Sequence, residues 1–216
     1  MLSSRRSQLV LTAWLVLGWP INGIAAEDCT GIVKAEWLVD GRKMRLLSEY
    51  KYVDPPGIEW LAPSGSVVDG ASIPQFAWSV VGGPYEGKYR NASVVHDVAC
   101  DAKARPWEQV HKMFYDHMLC SGVGKSKAQA MYWAVYQCGP RWGTEGAPKP
   151  NWCGLPEAAS YLTTVAGYLT ANPVEPVERL QTLPIEQVLY EQRMGRQIPR
   201  IDLHEPIESK YRFDIR

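Results

Sequence analysis

Between residues 32 and 68, β-branched and aromatic residues come in short runs separated by turn signals at Asp40-Gly41, Asp54-Pro55-Pro56-Gly57 and Pro63-Ser64-Gly65. This pattern predicts a small antiparallel β meander. Beyond Pro74 the apolar positions change to helical spacing, and three helices are predicted near 88–104, 106–120 and 126–138. Pro106 suits the first position of the second helix, and Gly122 lies just past its end. The third opens on Ser126 with Gln129 three residues on, a capping-box pattern, and Gly139-Pro140 stops it. In it Ala128, Met131, Tyr132 and Val135 recur at i, i+3, i+4, i+7, which is the stripe of a core helix. Strands first and helices after give an α+β fold, a β meander followed by a bundle of about three helices.

After this bundle the punctuation becomes dense. Residues 139–156 are rich in Gly and Pro and carry Trp142 and Trp152, so they read as a loop pinned by aromatic side chains. A last helix is expected from Pro156 to Thr170. Pro173, Pro176, Pro184, Pro199 and Pro206 then divide an extended C-terminal tail, within which 184–194 reads as helix. The expected organisation is therefore a leader over 1–26, an α+β domain over 27–156, and a helix and tail over 157–216 that wraps the domain or binds a partner.

The leader reading rests on Arg5 and Arg6, an apolar stretch from Leu9 to Leu17, and small residues Gly23, Ala25 and Ala26 before Glu27. About nine apolar residues are too few for a membrane span, which needs roughly twenty, so a cleaved export signal is expected rather than an anchor. Cys29 does not stand directly at the cut, where a lipoprotein cysteine would be. Loss of Arg5 and Arg6 leaves 21 basic against 23 acidic residues. Nothing in that balance is built to bind nucleic acid. The expected setting is periplasmic or secreted, with a lipid or cell-envelope component as partner. In an oxidising compartment Cys29, Cys100, Cys120, Cys138 and Cys153 suggest two bridges and one free thiol. Packing of the first and third helices makes Cys100–Cys138 the first bridge to test.

Candidate chemistry centres on His96-Asp97, a polar pair inside the apolar run Val94-Val95 to Val98-Ala99. Buried polar groups need a partner or a purpose. The turn Asp69-Gly70-Ala71-Ser72-Ile73-Pro74 lies about twenty residues earlier, where Gly70 permits a tight bend and frees backbone groups to converge. As a site, the turn offers Asp69 and Ser72, with His111 on the second helix, as substrate-binding groups. The plainer reading makes it a strand-to-helix turn whose Asp69 or Ser72 satisfies local amides. His117 is six residues beyond His111, on a different face of its helix, and is expected to be exposed.

Leu61-Ala62-Pro63-Ser64-Gly65, the Asp69–Pro74 turn, Tyr89, Ala92, His96-Asp97, Phe114, Met118 and Met131-Tyr132-Trp133-Ala134-Val135 together resemble the DUF1353 family of bacterial and phage proteins of unknown function. That resemblance covers roughly 31–138 and implies a shared fold unit and site but no reaction. A fainter one is to secreted phospholipases A2, where a His-Asp pair on a helix follows a glycine-containing calcium loop. It implies that His96 activates water and that Asp97 holds calcium, with carbonyls near Asp69 and Gly70 as further ligands. Those enzymes need a second carboxylate behind the histidine. Here His111 stands at that place, so Asp116 is the substitute, with Glu108 and Asp101 as alternatives.

Three readings follow. The first is a calcium-assisted ester hydrolase. The second is a non-catalytic envelope or phage-derived interaction protein, whose His-Asp pair locks strands to helices. The third is a transition-metal site using His96, Asp97 and His111.

Overall fold

The computed structural model describes residues 27–193, apart from 71–72, 84, 144–147 and 184. The expected leader over 1–26, Ser72, and the tail beyond Arg193 lie outside the described residues. The class is α+β: five short strands precede a set of packed helices.

The strand segments form two small antiparallel units rather than one continuous meander. β1 (Ala35–Trp37), β2 (Met44–Leu46) and β5 (Val67–Val68) make one sheet in the order β1-β2-β5, with Trp37 opposite Met44 and Met44 opposite Val68. β3 (Tyr50–Val53) and β4 (Glu59–Ala62) form a separate hairpin, with Tyr52 opposite Trp60. Alternation sends Met44, Leu46, Tyr50, Tyr52, Trp60, Ala62 and Val68 inward. The Asp54 carboxylate closes the hairpin by accepting from the Ile58 amide at 2.7 Å and the Trp60 indole at 2.9 Å.

A short 3₁₀ turn at Gln75–Ala77 leads into α1 (Trp78–Val81). The next three helices fall close to their predicted spans: α2 (Arg90–Ala102), α3 (Trp107–Cys120) and α4 (Lys125–Cys138). Lys103 ends α2 in the left-handed region (φ 51°), donating its amide to the Ala99 carbonyl. Pro106 is the N-cap of α3, one residue before the position expected for it. The capping box of α4 does not form. Gly124 is the N-cap with no side-chain cap, while Gln129 is fully buried and its amide pairs with both backbone groups of Val174, donating at 2.6 Å and accepting at 3.1 Å. A buried amide finds more in a distant backbone strand than in a solvated helix end.

Two apolar cores share α2 and α3. One packs the strands against Val94, Val95, Cys100, Val110 and Met113. The other gathers Ala92, Phe114, Met118 and the stripe of α4 with α5 (Ala158–Ala171), the 3₁₀ segment Val177–Thr182 and α6 (Ile185–Arg193), through Leu162, Leu169, Leu180 and Val188. The loop before α5 is pinned as its tryptophans suggest: Trp152 stacks on Trp133 with ring centroids 5.0 Å apart, and the Trp142 indole donates to the Arg105 carbonyl at 2.8 Å.

The two bridges are Cys29–Cys120 and Cys138–Cys153, and Cys100 is the buried thiol that belongs to neither. The expected Cys100–Cys138 pairing is therefore incorrect. Although α2 and α4 both pack on α3, Cys100 points to the seam between α2 and α3, while Cys138 sits at the end of α4 where the following loop brings Cys153 back.

Candidate functional site

The middle of α2 lies at the seam between the two cores, and its two polar residues face different neighbours. Asp97 turns towards the end of β5. Its Oδ2 accepts from the Asp69 amide at 2.8 Å and the Gly70 amide at 2.7 Å. Gly70 reaches this position with φ 112°, in the region that favours glycine, so that two successive amides converge on one oxygen. Charge-assisted bonds of this kind contribute about 1.5–3 kcal/mol each. The Asp69 carboxylate points the other way and pairs loosely with Arg42 at 3.6 Å, with both side chains well exposed.

His96 turns towards α3. It is fully enclosed; its ring packs on Phe114 with centroids 4.7 Å apart, and its Nε2 stands 2.9 Å from Nδ1 of His111. His111 is equally enclosed. Its Nε2 lies 3.1 Å from the Pro140 carbonyl, an acceptor only, so Nε2 carries the proton and Nδ1 presents a lone pair to His96. Burial, with His96 beside it, lowers the affinity of His111 for a proton to a pKa of about 2. The ring is therefore neutral at physiological pH.

Cys100 completes the arrangement. Four residues after His96 on the same face of α2, it places Sγ 3.7 Å from His96 Nε2. One ligand atom each from His96, Cys100 and His111 lies within 4.8 Å of the others, and among the described residues this is the one such cluster of metal-binding side chains. The spacing His96-x-x-x-Cys100 is visible in the sequence as an i, i+4 pair. Its meaning is hidden in the sequence because the expectation of export invites every cysteine to be read as half a bridge.

The structure thus brings Asp69, Gly70 and Asp97 together, and separately His96 and His111. Asp116 is placed elsewhere. It accepts from Lys112 at 2.7 and 2.9 Å, and Lys112 also reaches Glu178 in the first turn of the 3₁₀ segment Val177–Thr182. Burial raises the Asp116 pKa, an effect Lys112 opposes. His117, expected at the surface, is fully buried under the β3–β4 hairpin; Tyr52 stacks on it with centroids 4.0 Å apart, and the Tyr50 hydroxyl lies 3.0 Å from its Nε2. The helix face it occupies is covered by strands, which the helical pattern alone does not reveal.

An open surface groove of about 540 Å³ lies over the first disulfide, lined by Cys29, Lys88, Arg90, Asn91, Cys120 and Ser121 among others. None of the residues predicted for chemistry lines it.

The comparisons with known proteins agree with the resemblance drawn from the turn and the His-Asp pair. The chain is 41% identical over 145 residues to the uncharacterized protein y4jT of Sinorhizobium fredii (strain NBRC 101917 / NGR234), covering 64% of this chain and 43% of that protein. It is 43% identical over 104 residues to the uncharacterized protein y4iH of the same organism, covering 48% of this chain and 44% of that one. The chain spans less than half the length of these curated relatives. No solved structure matches. Residues 44–135, which hold β2 to β5, the Asp69 turn, and α2, α3 and most of α4, match the family described as protein of unknown function (DUF1353).

Proposed function

We propose that this chain is an exported, non-catalytic domain that acts through binding in the cell envelope, and that the Asp69 turn with the His96-Asp97 pair is a clasp holding strands to helices. The observation that carries this reading is the division of labour on α2: Asp97 is engaged by two backbone amides and His96 is wholly enclosed against Phe114 and His111. A hydrolase needs its base to reach a cleft, with a carboxylate behind it and room for water. The calcium-assisted reading would require Asp97 to exchange those amides for an ion, and a carboxylate at the place where His111 meets His96.

Export is supported by the two disulfides, which persist in oxidising compartments, and by the leader pattern of the sequence. Among the described residues no helix is long and apolar enough to cross a membrane. The exposed side chains of Trp37, Val39 and Leu47 around the β1-β2-β5 sheet give the binding half of the proposal a surface.

Asp97→Asn and His96→Asn separate the readings. For a clasp, Asp97→Asn lowers stability by about 1–3 kcal/mol, calcium leaves the wild-type melting temperature unchanged, and no ester hydrolysis depends on His96. A calcium-dependent esterase activity that His96→Asn abolishes while the fold is retained would overturn the proposal. N-terminal sequencing of chain recovered from the periplasm tests export, with a start near Glu27 as the expected result.

A further inference from the structure

Three donor atoms meet at the α2–α3 seam with no carboxylate among them: a thiol and two imidazole nitrogens, all buried. Zinc bound by nitrogen at about 2.0–2.1 Å and sulfur at about 2.3 Å in tetrahedral geometry sets two nitrogens about 3.3 Å apart and a nitrogen and sulfur about 3.6 Å apart. Here the corresponding separations are 2.9 Å between the imidazoles and 3.7 Å from Sγ to His96 Nε2. The sulfur already stands at the required distance from His96 Nε2, the rings need to part by a few tenths of an ångström, and all three donors lie within 4.8 Å of one another.

The surroundings have the form of a metal site's outer shell. A ligating histidine commonly donates its other ring N–H to a backbone carbonyl, which fixes the tautomer and aims the free lone pair. His111 makes this contact with Pro140 just beyond α4, leaving Nδ1 turned to His96. His96 is itself fixed by the Phe114 ring and by its place in the middle of α2. Two helices and the stop of a third therefore hold the donors, with no reliance on the chain termini.

We propose that His96 Nε2, Cys100 Sγ and His111 Nδ1 bind a thiophilic d¹⁰ cation, zinc by preference. Calcium and magnesium prefer oxygen and are poorly suited to this set, whereas thiolate and imidazole together select zinc and its neighbours. Binding takes the proton from the Cys100 thiol and releases it to solvent, and the proton that His96 Nε2 shares with His111 passes to His96 Nδ1, so the ion carries one thiolate and two neutral rings. Among the described residues no fourth His, Cys, Asp or Glu joins the cluster, and the three donors leave one tetrahedral position for a further ligand. The ion would replace the direct contact of His96 with His111 and so shares that half of the clasp, whereas the Asp97 half uses other atoms and another face of α2.

The test uses the full exported chain with both disulfides intact, loaded with zinc or with cobalt(II) as a spectroscopic probe. The expected result is one ion per chain, a thiolate-to-cobalt charge-transfer band in the near ultraviolet, and loss of both in Cys100→Ser. The loss of affinity should exceed the about 10–100-fold attached to outer-shell partners. His111→Gln should weaken zinc likewise while leaving the amide contacts of Asp97 in place. Absence of binding by the wild-type chain, or equal binding by Cys100→Ser, would overturn the proposal. If Cys100→Ser fails to fold, X-ray absorption on the wild-type zinc complex decides it: one sulfur with two imidazoles upholds the site, and a shell without sulfur refutes it.

Discussion

A histidine sealed under two tyrosines is a base that folding keeps from its proton. His117 has its pKa lowered to about 3 by burial alone, against an ordinary value near 6.5. Between those values the unfolded chain binds a proton that the folded chain refuses, so stability falls as the pH drops from about 6.5 towards 3. Each such group adds up to about 1.4 kcal/mol per pH unit across that window. His117→Phe keeps a ring beneath Tyr52 and removes the titration. Urea midpoints measured from pH 7 to 4 should fall less steeply in this variant, and an unchanged slope would refute burial of a neutral His117. The sequence showed that His96-Asp97 sits where polar groups need partners, but not which ones. The helical spacing of α3 reads His117 as exposed because its cover comes from β3, more than sixty residues away.

At the scale of elements, Pro and Gly carry most of what was legible. Pro106 and Gly122 bracket α3, and Gly139-Pro140 ends α4, because these residues act on their own backbone and need no tertiary information. Gln129 shows the limit of such local reasoning. Its position three residues after Ser126 suggests a cap, whereas its amide serves as a surrogate strand edge for Val174. Replacing it leaves a buried N–H and C=O of Val174 without their partner. Gln129→Ala should therefore cost about 2–4 kcal/mol and speed amide hydrogen exchange around residues 172–177. Gln129→Ala with wild-type stability would show that the segment after α5 is held by its apolar contacts alone. The i, i+4 pair of His96 and Cys100 was equally local and equally ambiguous, since the same helix face suits a bridge or a ligand set.

For the whole molecule, the two disulfides act on loops of very different length. Cys29–Cys120 spans 91 residues and fastens the chain ahead of β1 to the end of α3, while Cys138–Cys153 spans 15. Loop-closure entropy assigns about 4–5 kcal/mol to the first and about 3 kcal/mol to the second. Paired replacement of Cys29 and Cys120 by Ser should thus lower the urea midpoint more than paired replacement of Cys138 and Cys153. The reverse order would place their contribution in the folded state instead. Neither pairing could be derived from the spacing of five cysteines, because each depends on how α3, α4 and the loops converge.

The enclosure of Cys100 between α2 and α3 also bears on how the bridges should form. While those helices are apart, its thiol competes on equal terms with the four cysteines destined for bridges, and each can be captured in a wrong pair. Once they pack, attack on that sulfur is closed sterically, and thiol–disulfide exchange can run among the remaining four. An oxidant supplied before the α2–α3 hairpin has formed should therefore give more species mispaired through Cys100 than one supplied after it, which disulfide mapping of the two products would show.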